Sequence, residues 1–137
     1  MPRIVAIDYG RKRTGLAVTD PLKIIATPLE TVQSYTLLDF LKNYELKEEI
    51  EAFVVGMPKR LDNTASENAQ YVEIMVKHLK KAFPDKTIHL IDERFTSSIA
   101  LDAMIAGGMS KKNRRDKSNV DKISATLILQ SFLEMKI

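Results

Sequence analysis

The chain contains no cysteine. That excludes disulfides and thiolate metal sites, and it suits a reducing cytoplasm. No apolar run approaches the roughly 18 residues of a membrane span, so no membrane partner is expected. The N-terminus carries no apolar leader segment, which argues against export. Its two histidines, His78 and His89, lack metal-ligand spacing and read as a surface and a strand residue. There is no internal repeat and no linker that would divide the chain. A length of 137 residues therefore predicts one domain spanning positions 1–137.

What is present is an ordinary globular core composition, 45% hydrophobic. Net charge is only +3, but the cations are unevenly placed. Arg11, Lys12 and Arg13 form one cluster. Lys111, Lys112, Arg114, Arg115 and Lys117 form another. The rest of the chain is net acidic. Two local basic clusters suit a polyanionic partner better than a uniform charge would.

Ile4 to Ile7 is a continuous apolar run and predicts a strand buried on both faces. Asp8 ends it, where an acid needs a partner or a metal to offset its desolvation. Gly10 and Gly15 bracket the basic turn, and Thr14 to Thr19 returns as a second strand. Lys23 to Val32 is strand-like, but Pro28 makes it an edge strand or a broken one. Ser34 is placed to cap a helix starting near Tyr35, with Leu37, Leu38 and Leu41 facing the core. Glu45 to Glu51 reads as solvated helix and loop.

Ala52 to Val55 predicts another buried strand, ending in the loop Gly56-Met57-Pro58-Lys59-Arg60. In open α/β sheets, ligands bind at that end of a strand. Thr64 and Glu67 have capping-box spacing. Ala69, Val72, Val76, Leu79 and Phe83 follow at helical spacing, with Pro84 beyond. Thr87 to Ile91 predicts the last strand. Thr96 could cap a helix over Ile99 to Ala106, and Met109 to Asn119 reads as a basic loop. The last helix is expected from about Val120 to Met135. Three antiparallel strands followed by alternating units imply an α/β fold, a mixed five-stranded sheet with helices on both faces.

Three acids occupy related places in this order. Asp8 ends the first strand, Glu93 follows the last, and Asp121 starts the final helix. Ala125, Ile128, Leu129 and Phe132 continue the stripe of Asp121 towards the sheet. Converging carboxylates need a neutralising cation, and magnesium is a hard ion that takes oxygen ligands. Two such ions can activate water and stabilise the leaving oxygen of a phosphodiester. Asp92 competes with Glu93 for the second position, because consecutive strand residues face opposite sides.

Asp8-Tyr-Gly-x-Lys12-Arg13-x-Gly15-x-Ala17-x-x-Asp20 resembles the opening motif of the YqgF family, also called RuvX. Gly56-x-Pro58 resembles its middle motif, and Asp92-Glu93-Arg94-x-Thr96-Ser97 its most distinctive block. Asp121-x-x-Ser124-Ala125-x-x-Ile128-Leu129-Gln130 resembles its terminal helix. Asn63 and Ser124 depart from the usual glycine and alanine, and neither removes a candidate ligand. The family is described as Holliday junction resolvases or pre-16S rRNA nucleases with a ribonuclease H-like fold.

The resemblance implies that Asp8, Glu93 and Asp121 bind Mg²⁺ or Mn²⁺ and catalyse phosphodiester hydrolysis. It implies a partner in structured RNA, such as a ribosomal precursor particle, or in branched DNA. Arg11, Lys12, Arg13, Lys59, Arg60, Arg94, Lys111, Lys112, Arg114, Arg115 and Lys117 are the candidate phosphate contacts. Two other readings stand beside the nuclease. Asp-x-Gly followed by Thr14-Gly15 also resembles the phosphate loop of actin-like ATPases, which need a second lobe. A non-catalytic nucleic-acid-binding module would keep the fold alone. Monomer and dimer are both compatible with the sequence.

Overall fold

A computed structural model describes residues 2–20, 22–57, 67–92 and 117–135. Five strands form one sheet: β1 (Arg3–Tyr9), β2 (Arg13–Thr19), β3 (Ala26–Gln33), β4 (Ile50–Met57) and β5 (Thr87–Asp92). Their spatial order is β3-β2-β1-β4-β5. The pairs β1–β2 and β2–β3 are antiparallel; β1–β4 and β4–β5 are parallel. The mixed sheet expected from the sequence is the sheet that forms.

Side-chain alternation along these strands creates two cores. Val5, Ile7, Leu16, Phe53 and Val55 face one way and pack under α1 (Leu37–Glu45) and α2 (Glu67–Ala82). Ile4, Ala6, Ala17, Ala52 and Val54 face the other way. There they meet Ala125, Ile128, Leu129 and Phe132 of α3 (Lys117–Met135). The apolar stripe running on from Asp121 is thus the buried seam of α3. The ring of His89 on β5 packs against Phe132, centroids 4.7 Å apart.

Several boundaries differ from the sequence reading. Ser34 does not cap a helix. It opens a short 3₁₀ turn, Ser34–Thr36, and its hydroxyl points back to the first hairpin. Ile50 and Glu51 belong to β4, because the buried Ile50 extends that strand's apolar face. β3 starts only at Ala26, since Asp20 gathers the amides of Leu22, Ile24 and Ile25 into a turn. It lies at the sheet edge, as Pro28 requires, with a register shift opposite that proline. α3 begins at Lys117, so the basic segment runs into the helix and Asp121 sits inside it rather than at its start. The Thr64 cap and the helix expected over Ile99 to Ala106 lie outside the described residues.

Candidate active site

Asp8 has the parity of Ile4 and Ala6, so it belongs to the sheet face that α3 covers. Its cross-strand neighbour is Gly15 on β2. α3 passes directly over that glycine: a Cβ built there would lie 2.1 Å from the Asp121 carbonyl oxygen and 3.0 Å from the Asp121 Cβ. Directly paired residues in an antiparallel ladder lie about 4.5–5.5 Å apart at Cα. The missing side chain of Gly15 therefore lets the helix down beside Asp8. Asp8 and Asp121, distant in sequence, are thus both neighbours of Gly15, one as its cross-strand partner and the other above it.

The turn beyond Asp8 is basic and held in shape. The Gly10 amide donates to the Arg13 carbonyl at 2.9 Å, and a Cβ on Gly10 would meet that oxygen at 2.6 Å. Ser34 clamps the turn from outside. Its amide donates to the Lys12 carbonyl at 2.9 Å and its hydroxyl donates to the Gly10 carbonyl. With that proton used, its oxygen accepts from buried Thr14 Oγ1 at 2.8 Å. On the α2 side, Asn68 Nδ2 donates to the Tyr9 carbonyl at 3.0 Å.

The cations of the turn have separate places. Arg13 Nε donates to Asp121 Oδ2 at 3.1 Å. The Arg11 guanidinium lies over the Tyr71 ring, 4.7 Å from its centroid. Gly10, Arg11, Lys12, Arg13 and Asp121 line one open cleft of about 560 Å³. A cleft of that size is wide enough for a nucleotide-sized group.

The remaining expected site residues divide simply. Asp92 ends β5 with the parity of Ile88 and Leu90, away from the α3 face. Glu93, Lys59, Arg60, Arg94, Lys111, Lys112, Arg114 and Arg115 lie outside the described residues. Lys117 is the first residue of α3. Among the described residues no group of three or more His, Cys, Asp or Glu side chains could hold a metal ion. Asp8 and Asp121 supply oxygen donors of the type magnesium or manganese prefers, beside a cation-rich turn. That donor set fits a hard divalent ion, with further ligands to come from elsewhere.

Gly15, Ser34 and Asn68 were not among the residues expected at the site. Gly15 carried a signal in the opening motif. Ser34 and Asn68 carried none, because their partners are distant in sequence.

Comparison with known proteins bears on the family and the fold. The family model described as "RuvX: Holliday junction resolvase" matches residues 2–135. The chain belongs to the RuvX family. A relative from Bacteroides fragilis is 52% identical over 136 residues, covering 99% of both chains. One from Flavobacterium johnsoniae is 48% identical over 136 residues, again covering 99% of both. Each of the two carries the name "Putative pre-16S rRNA nuclease". Among solved structures, Thermus thermophilus RuvC bound to a Holliday junction substrate aligns with a TM-score of 0.58 at 18% identity. That alignment covers 99% of this chain and 96% of RuvC. The likeness places the RuvX chain in the ribonuclease H-like fold.

Proposed function

We propose that this chain is a magnesium- or manganese-dependent nuclease that hydrolyses phosphodiester bonds in structured nucleic acid. Its substrate is the 5′ end of pre-16S rRNA, and its setting is ribosome biogenesis in the cytoplasm. The observation carrying the reading is that Asp8 and Asp121 both neighbour Gly15, with Asp121 lining the cleft of the basic turn, residues 10–13. The names of the relatives support the choice of RNA.

Asp8 and Asp121 would be the described metal ligands. Glu93, the acid that the family resemblance assigns and that follows Asp92 in sequence, would be the third. A divalent ion held there would lower the pKa of the attacking water and stabilise charge on the leaving oxygen. Lys12 and Arg13 would bind backbone phosphates and fix the scissile group in the cleft. Arg11, Lys59, Arg60, Arg94 and the basic segment from Lys111 to Lys117 would extend that contact along the strand without reading sequence. Water adds to phosphorus, the bond to the sugar oxygen breaks, and that oxygen takes up a proton. One domain, residues 1–137, carries all of this.

The test is cleavage of an end-labelled precursor rRNA 5′ end and a four-way DNA junction, with Mg²⁺, Mn²⁺ or EDTA. Metal-dependent cutting of the RNA, absent in Asp8→Asn, is the expected result. Preferential cutting of the junction would make the chain a resolvase. Binding with no cutting of either substrate would leave a non-catalytic nucleic-acid-binding module.

A further inference from the structure

The Arg13–Asp121 ion pair engages one oxygen of the carboxylate that the nuclease reading gives to a metal, and this inference rests on that reading. We infer that Arg13 is an exchangeable counter-cation. It shares Asp121 in competition with the divalent ion, and on losing Asp121 it passes to a backbone phosphate of the bound nucleic acid.

Four observations carry this. First, the contact is made by Arg13 Nε on Asp121 Oδ2 at 3.1 Å, so it draws on a side-chain oxygen, the same kind of donor a hard cation needs. Second, the Asp121 main chain is fixed and the Arg13 side chain is not. α3 rests on Gly15 with no room for a methyl group, whereas the Arg13 side chain is 41% exposed. The backbone that carries the Asp121 carboxylate is therefore held, while the more exposed guanidinium can leave. Third, an ion pair this exposed is worth about a fivefold preference at most, so a divalent ion can displace it. Fourth, Arg13 and Asp121 line the same cleft as Lys12 and Arg11, so a released guanidinium is already among the phosphate-binding cations. Its planar fork suits phosphate oxygens.

Among the described residues, the other charged residues lining the cleft are Arg11 and Lys12. Arg11 is stacked on Tyr71, and Arg13 is the cation recorded in contact with the Asp121 carboxylate among the described residues. Exchange at Asp121 is thus assigned to Arg13. Its consequence is that metal and nucleic acid bind with positive coupling, each making the other's binding easier.

The experiment uses the full chain and reads binding, not cleavage. Mn²⁺ affinity is measured by titration calorimetry for wild type, Arg13→Gln and Asp8→Asn. Affinity for a fluorescein-labelled RNA hairpin is measured in Ca²⁺. Arg13→Gln should bind Mn²⁺ about two- to tenfold more tightly, because a competitor and a like charge are both removed. The same variant should bind RNA several-fold more weakly. Arg13→Lys, which keeps the charge but not the fork, should show both changes at smaller amplitude. Equal or weaker Mn²⁺ binding in folded Arg13→Gln overturns the exchange, as does unchanged RNA affinity. If wild type binds Mn²⁺ and Asp8→Asn does not, the metal reading stands whatever Arg13 does. If wild type binds no Mn²⁺, that reading and this inference fall together.

Discussion

Gly15 lies directly beneath Asp121, so close that a methyl group on the glycine would sit 2.1 Å from the aspartate's carbonyl oxygen. The obstructing atom belongs to the backbone of a helix packed on the sheet, and no side-chain rotation can relieve it. Gly15→Ala must therefore push the N-terminal part of α3 off the sheet. The expected cost is about 1–3 kcal/mol of stability, the usual range for overpacking. Nucleic-acid cleavage should fall much further, because Asp121 moves away from Asp8. Denaturant unfolding and single-turnover cleavage on the same sample separate the two effects.

Ser34 ties the basic turn to the start of the 3₁₀ turn through its amide and its hydroxyl. Ser34→Ala keeps the amide bond but leaves the Gly10 carbonyl and the Thr14 hydroxyl without that partner. A loss of about 1–3 kcal/mol is expected, since unsatisfied buried groups bear their desolvation cost. The turn also carries Lys12 and Arg13, so RNA affinity should weaken in a variant that stays folded. Filter binding alongside thermal melting checks this.

Asp20 accepts hydrogen bonds from the amides of Leu22, Ile24 and Ile25, at 3.1, 2.8 and 2.7 Å. These amides, Ile25 foremost, hold its carboxyl below the ordinary value of 3.8, against a smaller opposing effect of burial. A carboxylate whose folded pKa is depressed stabilises the protein above its unfolded pKa. That contribution is lost as pH falls through the folded value. Wild type should therefore exceed Asp20→Asn in urea midpoint near neutrality. The gap should close as the pH drops below 3.8.

Much of this arrangement was legible in the sequence because it rests on periodicity. The run Ile4 to Ile7 gave the central strand, and the spacing from Asp121 to Phe132 gave the seam of α3. Pro28 marked an edge strand, and β3 is at the edge. Ser34 was misread because its capping chemistry is local in sequence, whereas its real partners lie across a hairpin. The start of α3 was set too late because a basic stretch resembles a loop, although Lys and Arg are good helix formers. Neither periodicity nor charge could show that Arg13 pairs with Asp121, since that contact joins residues 108 positions apart.

The central claim is that Asp8 and Asp121 act together on a phosphodiester. Its most direct test is single-turnover cleavage of precursor rRNA in Mg²⁺ by wild type, Asp8→Asn, Asp121→Asn and the double variant, all with matched melting temperatures. Each single variant should lose at least about a hundredfold in rate, comparable to removing one preorganised charge from an active site. The double variant should lose little more than either single one, because groups acting as a unit are not additive. Near-wild-type cleavage by either folded single variant would contradict the assignment of that carboxylate to the reaction.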